Sequence, residues 1–266
     1  MRYFLSEVHM LINKKPLLVV VAIASMAPVL VSFHTRGQQK DISEQERQKR
    51  EFYSQYPTAL YNAPENSSPE RRAERSLKSK RYDKGRMPEI ISQAPVDDTE
   101  EVFTITEDLE LTPGLPVNES ELVVIGEILD ANAYLSNNKK RVYSEFSFRI
   151  SDVLKKNDIS VSKGESLCVD REGGYVQFEN GRKRLHSIGG LLMPLVGRRY
   201  VLFLKNKEKT PNYEIVSGYE LKADGVKNLN GSEKSRAYAG MDEMTFMKLL
   251  YKAIAEGVES RNKKED

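Results

Sequence analysis

The sequence predicts a mainly β protein: short strands closing into a small barrel with a C-terminal amphipathic helix, preceded by an N-terminal membrane helix and a largely disordered linker. Three observations predict it. Strand-length apolar segments punctuated by Gly-Gly and Asn-Gly turns fill residues 121–221, residues 242–256 repeat apolar side chains at helical spacing, and the uncharged run Pro16–Phe33 has no second example in the 266 residues. The corresponding division is a basic tail at 1–15, an anchor or signal segment at 16–34, a charged Pro-containing linker at 35–118, the β domain at 119–256 and a charged tail at 257–266.

The run follows Lys14-Lys15 and holds Pro16, Leu17, Val20, Ile23, Pro28, Val31 and Phe33 among its 18 residues. As a helix it is about 27 Å long, just short of the ~30 Å hydrocarbon core. Membrane helices accommodate a proline such as Pro28 by local adjustment. An uncleaved anchor is the first reading. The second is a cleaved secretory signal, with small residues suiting a cut after Ala24; the third is a buried core helix. The Lys-Lys pair abutting the run puts the C-terminal domain outside the cytoplasm, although Arg36, Lys40, Arg47, Lys49 and Arg50 on the far side weaken the charge asymmetry.

The linker is defined by charge and proline. Residues 69–86, PERRAERSLKSKRYDKGR, carry eight Lys or Arg against three acids, whereas Glu89 to Asp130 carry twelve acids and no base. Seven prolines between Pro57 and Pro116 interrupt a stretch without sustained apolar periodicity, which reads as extended or disordered chain. A short helix is expected near Ile42–Tyr56. A solvated stalk is the plain reading of the charge blocks; the sharper one has the basic block on an anionic surface such as lipid headgroups or a wall polymer, with the acidic block folded back.

From Glu121 the texture changes. Leu122–Leu129 is an apolar strand, Ala131–Lys140 a polar loop, and Phe146, Phe148 and Ile150 alternate with Glu145, Ser147, Arg149 and Ser151 in the period of a half-buried strand. Strands follow at 166–170, 174–179, 184–188, 199–204 and 213–221. Asn180-Gly181 marks a tight hairpin between two of them. At the end, Asp242 caps a helix whose Phe246, Leu249, Leu250, Ala253 and Ile254 form one apolar stripe for packing on the sheet.

VYSEFSFRISDVLKK at 142–156, the Gly173-Gly174 turn, VGRRYVLFL at 196–204 and SGYEL before Asp224-Gly225 resemble a family of uncharacterised bacterial envelope proteins with N-terminal signal or anchor segments. The resemblance covers roughly residues 120–256. It implies an envelope location and a barrel of OB-like or netrin-like type; no activity or ligand comes with it.

Residues that carry chemistry are sparse. His186 is the only histidine of the β domain, expected as a surface strand residue, and no second ligand stands at metal-binding spacing. Cys168 is the only cysteine, so no intramolecular disulfide forms; its thiol is expected on a strand's buried face. No nucleophile elbow, phosphate loop, dinucleotide fingerprint or zinc-protease motif occurs, and no cofactor is expected.

The leading expectation is therefore a membrane-anchored extracytoplasmic binding or structural protein of the bacterial envelope, single-pass, or secreted or periplasmic if the signal is cleaved. Its partners are the membrane and an envelope protein or anionic polymer. Arg182, Lys183, Arg184, Arg198 and Arg199 form the candidate binding face. An envelope-polymer-modifying enzyme using His186, Asp170 and Glu172 is the first alternative. A nucleic-acid-binding OB-like domain is the second; a net charge of +2 and export both argue against nucleic acid.

Overall fold

The computed structural model describes residues 44, 46–62, 68–83, 101–106, 112–157, 159–206 and 212–265, in two units divided after Gln55. The anchor residues Pro16 to Phe33 lie outside the described residues. No helix among the described residues is long and apolar enough to cross a membrane. In the first unit a helix, α1, spans residues 46–53, within the expected helical stretch.

The second unit begins at Tyr56. It holds, in chain order, β1 (Thr58–Leu60), α2 (Pro69–Asp83), β2 (Glu101–Thr106), β3 (Leu122–Leu135), β4 (Val142–Lys156), β5 (Ser166–Glu172) and β6 (Gly174–Gln177). The chain continues through β7 (Lys183–Gly189), β8 (Arg199–Lys205), β9 (Tyr213–Glu220), β10 (Lys227–Asn228), α3 (Glu233–Arg236) and α4 (Glu243–Glu265). The protein is mainly β, as its alternation patterns predict.

Five strands close on themselves. The antiparallel meander β3-β4-β5 is continued by β9, parallel to β5; β8 pairs antiparallel with both β9 and β3 and completes the ring. A second sheet, in the order β1-β6-β7-β2, is mixed, with β1 parallel to β6 and β2 parallel to β7. The two sheets are joined where β5 turns into β6 at Gly173-Gly174. Both have positive φ, 116° and 134°, a region other L-residues rarely adopt.

Burial explains the ring. Val123, Ile125, Val201, Phe203 and Tyr219 pack with Phe246 and Leu250 of α4 in one cluster. A helix cannot fit inside five strands, so this is the ring's outer side. The alternate residues Leu122, Val124, Leu202 and Leu204, all 0% exposed, consequently face inward. The continuous apolar run of β8 follows from burial on both faces. In α4, Asp242 accepts a hydrogen bond from the Thr245 backbone N–H at 2.9 Å, as a cap should. Phe246, Leu250, Ala253 and Ile254 pack on the cluster, joined by Met247, whereas Leu249 stays 38% exposed at the rim.

Two differences from the sequence reading have physical causes. β3 runs to Leu135, through residues expected as loop, because Asp130, Asn132 and Tyr134 lie on its outer face while Ala133 is buried against β1 and β6. The compact unit also takes in 56–62, 69–83, 101–106 and 112–118, all within the stretch read as linker. Helix α2 has no apolar stripe to betray it, because the face it covers is acidic.

Candidate functional site

The outer face of β3-β4-β5-β9 is a grid set by register. Cross-strand partners share a face. Tyr134, Tyr143 and Glu172 form one row; Asn132, Glu145, Asp170 and Glu214 the next; Asp130, Ser147 and Cys168 the third. They face outward because Phe146 and Phe148, which alternate with them on β4, are wholly buried. The middle row thus sets carboxylates on three adjacent strands, an arrangement that repels itself unless a cation covers it.

Helix α2 supplies the cations. Arg75, Lys78, Ser79 and Tyr82 recur at offsets 0, 3, 4 and 7, one side of a helix. The Arg75 guanidinium lies 4.5 Å from the Tyr134 ring centroid. Lys78 Nζ is 3.7 Å from Glu145 Oε1 and 3.1 Å from Glu74. The Tyr82 ring stacks on Tyr143 with centroids 4.3 Å apart and planes 9° from parallel. Its hydroxyl donates to Asp170 Oδ1 at 2.7 Å, and Arg81 Nη1 donates to the same oxygen at 3.2 Å.

The β3-β4 turn holds the helix end. Asn138 N–H donates to Asp83 Oδ1, while Arg141 Nη1 donates to the Asp83 carbonyl at 2.8 Å, satisfying a group that helix termini leave unpaired. Asn137 Nδ2 donates to the Ser76 carbonyl.

Burial dominates the electrostatics. Asp170, with a side chain 0% exposed, is pushed up to about 6 by desolvation; Arg81 and the Tyr82 hydroxyl oppose this, and Glu214 and Glu145 reinforce it. The Cys168 thiol is pushed up to about 12, by burial and then by Glu145, whose Oε2 is 3.8 Å away. For Lys78, burial lowers the ammonium, but Glu145 and Glu74 outweigh it and hold it above its ordinary value. Ser79 Oγ, Tyr143 OH and Asp170 Oδ2 are buried with no hydrogen-bond partner among the described residues. The α2 contact is therefore charge-matched but incompletely bonded.

Beside α2 the third row is open. A cavity of about 320 Å³ is lined by Asp130, Asn132, Tyr134, Glu145, Ser147 and Cys168, among others. Among the described residues no group of three or more His, Cys, Asp or Glu is arranged to hold a metal ion.

The basic residues read as a binding face are distributed over both sheets. Lys183 is exposed at the start of β7 and Arg182 half-buried in the turn before it, while Arg184 is buried with its guanidinium 5.5 Å from the Phe178 ring. Arg198 pairs with Glu220 at 2.9 Å and Arg199, opening β8, with Glu243 at 2.5 Å. The charges of that pair are thus engaged by acids of the same chain.

His186 is 2% exposed rather than on the surface. Desolvation, then Arg184, pushes it down to about 4, so it is neutral at pH 7. Glu172 lies 3.9 Å from Arg141, and the charges acting on Asp170 come from Arg81, Glu214 and Glu145. Cys168 sits half-buried on the outer face, opposite Ser147, instead of facing inward. The helix-to-face contact was accessible to sequence only as two separate hints, the 0, 3, 4, 7 spacing in the basic block and the acids at 145, 170 and 172.

The fold and site together define a closed five-strand β ring whose acidic outer face carries a basic helix of its own chain. No family model matches the chain, and no curated protein matches it.

Proposed function

We infer that this chain is a membrane-anchored extracytoplasmic binding or structural protein of the bacterial envelope, with Pro16–Phe33 as its tether and an OB-like barrel as its working part. The ring order supports the OB-like reading. A three-strand meander whose third strand lies parallel to the fifth, with the fourth closing onto the first, matches the strand order expected of a five-stranded Greek-key barrel. Its second and third strands, β4 and β5, are the ones that carry ligands on OB-folds.

The observation that carries the binding role is the docked helix. The polar side chains Glu145 and Asp170 on the β4-β5 face engage a segment of protein, through Lys78, Arg81 and Tyr82. A carboxylate-lined face repels phosphate, which weighs against nucleic acid. Burial pushes His186 down to about 4, far from neutral pH, which weighs against its use as a general base.

The test is a reporter fused after Asp266, combined with N-terminal sequencing of the mature chain. The expected result is activity only outside the cytoplasm and an intact N-terminus. A reporter active only inside overturns the envelope reading.

A further inference from the structure

We propose that the carboxylate row of β4, β5 and β9 is a docking surface for a basic helix of a partner protein, and that α2 is its tethered resident, which the partner helix displaces. The proposal rests on the reading of this domain as a binding module and names its partner class. The required chemistry is visible in α2: a cation, a second cation three residues later, and an aromatic ring four beyond that, as at Arg75, Lys78 and Tyr82.

Charge complementarity is the first argument. Glu145, Asp170 and Glu214 are immediate cross-strand neighbours, and the first and last both raise Asp170. Such a row selects a cationic cover. An apolar helix would bury the three charges without compensation.

The quality of the resident's fit is the second. Helices built into a core are held by an apolar stripe. The stripe of α2 is Arg75, Lys78, Ser79 and Tyr82, while its Leu77 is 57% exposed. Among the described residues, Asp170 has one oxygen shared by Arg81 and Tyr82 and the other unbonded, and Ser79 Oγ and Tyr143 OH are also buried without a partner. A helix placing a guanidinium fork on Asp170 would satisfy both carboxylate oxygens. The face thus offers bonds that α2 does not make.

Continuity is the third. The polar surface does not stop at the edge of α2, because one further acid, Asp130, lines the adjacent cavity with Ser147 and Cys168. A helix with one further cation on that side would cover Asp130 as well.

The experiment uses the full chain in detergent micelles and, as probe, a fluorescent peptide with the sequence of residues 69–83; a scrambled peptide of equal composition is the control. In a variant carrying Arg75→Ala, Lys78→Ala, Arg81→Ala and Tyr82→Ala, the resident helix is weakened. The expected result is peptide binding at least tenfold tighter than to the native chain, reduced at least tenfold again when Glu145→Gln and Asp170→Asn are added. Equal binding by the variant and the native chain, or equal binding of the scrambled peptide, overturns the proposal.

Should the variant fail to fold, a nitroxide on Leu77→Cys, in a Cys168→Ser background, reads displacement in the otherwise native chain. Its mobility is expected to rise as peptide is titrated. A spectrum unchanged at saturating peptide overturns the proposal. A reporter active outside the cytoplasm beside a failed peptide experiment would retain the envelope reading and reject this surface, so the two failures are distinguishable.

Discussion

Asp170 and His186 are buried groups whose protonation preferences oppose each other, so removing either should unmask the other in a pH profile of stability. The Asp170 side chain is 0% exposed and titrates at about 6 against an ordinary 3.8. The folded state holds its proton more tightly than the unfolded chain does. Its stabilising contribution is therefore full below pH 3.8 and lost as pH rises through 6. At 1.36 kcal/mol per unit, the gap corresponds to about 3 kcal/mol.

His186, 2% exposed, runs the other way. It titrates at about 4 against 6.5, so its contribution is present above pH 6.5 and lost as pH falls through 4, again by about 3 kcal/mol. Between these limits the two slopes nearly cancel in the native chain.

Asp170→Asn should expose the histidine slope, a loss of about 3 kcal/mol on going from pH 6.5 to 4 relative to the native profile. His186→Gln should expose the opposite slope, a relative gain of about 3 kcal/mol over the same range. Urea unfolding followed by far-UV circular dichroism suits the measurement, since the chain has no tryptophan. Contributions from groups that interact with neither Asp170 nor His186 are common to the three profiles and drop out of the differences. Parallel profiles for the two variants would refute the argument that burial sets both groups.

Two further outcomes concern packing and polar burial. Gly126→Ala would put a methyl 2.1 Å from the Arg149 carbonyl oxygen and 2.6 Å from the Phe148 ring, beside an irregularity in the β3-β4 pairing, and should destabilise by about 3 kcal/mol, read as a lowered urea midpoint. Tyr143→Phe removes a buried hydroxyl that has no partner among the described residues and should leave stability unchanged or slightly raised, whereas Tyr219→Phe removes a donor to the Gly114 carbonyl and should lose about 1 kcal/mol by the same assay.

Much of the β structure was legible from local pattern. The alternation around Phe146 and Phe148, the β8 run and the Asn180-Gly181 hairpin each correspond to an observed strand or turn. Those signals are local because a strand with one or two buried faces must write its burial into its own residues. The α4 stripe was legible for the same reason, apart from Leu249, whose exposure depends on where the sheet ends.

The candidate site was not legible as a unit. Arg75, Lys78 and Tyr82 are separated from Glu145 and Asp170 by more than 60 residues, and each set by itself has the composition of a solvated surface. What joins them is register: only the pairing Glu145↔Asp170↔Glu214 lines up the carboxylates that make a basic helix the fitting cover. His186 stands in a polar stretch, between Arg184 and Ser187, that carries no local sign of its burial by the sheet.

The residues alone determine that this protein is mainly β, where its principal strands and closing helix lie, and that one uncharged run of membrane length precedes them. Hydrophobic periodicity is a property of neighbours in the chain, so sequence can carry it. The closing of five strands into a ring, the burial of Asp170 and His186, and the docking of a basic helix that composition reads as linker were decided by tertiary structure. Each depends on residues distant in sequence, and the electrostatic value of a charge is set by the partners and burial it acquires only when the chain has folded.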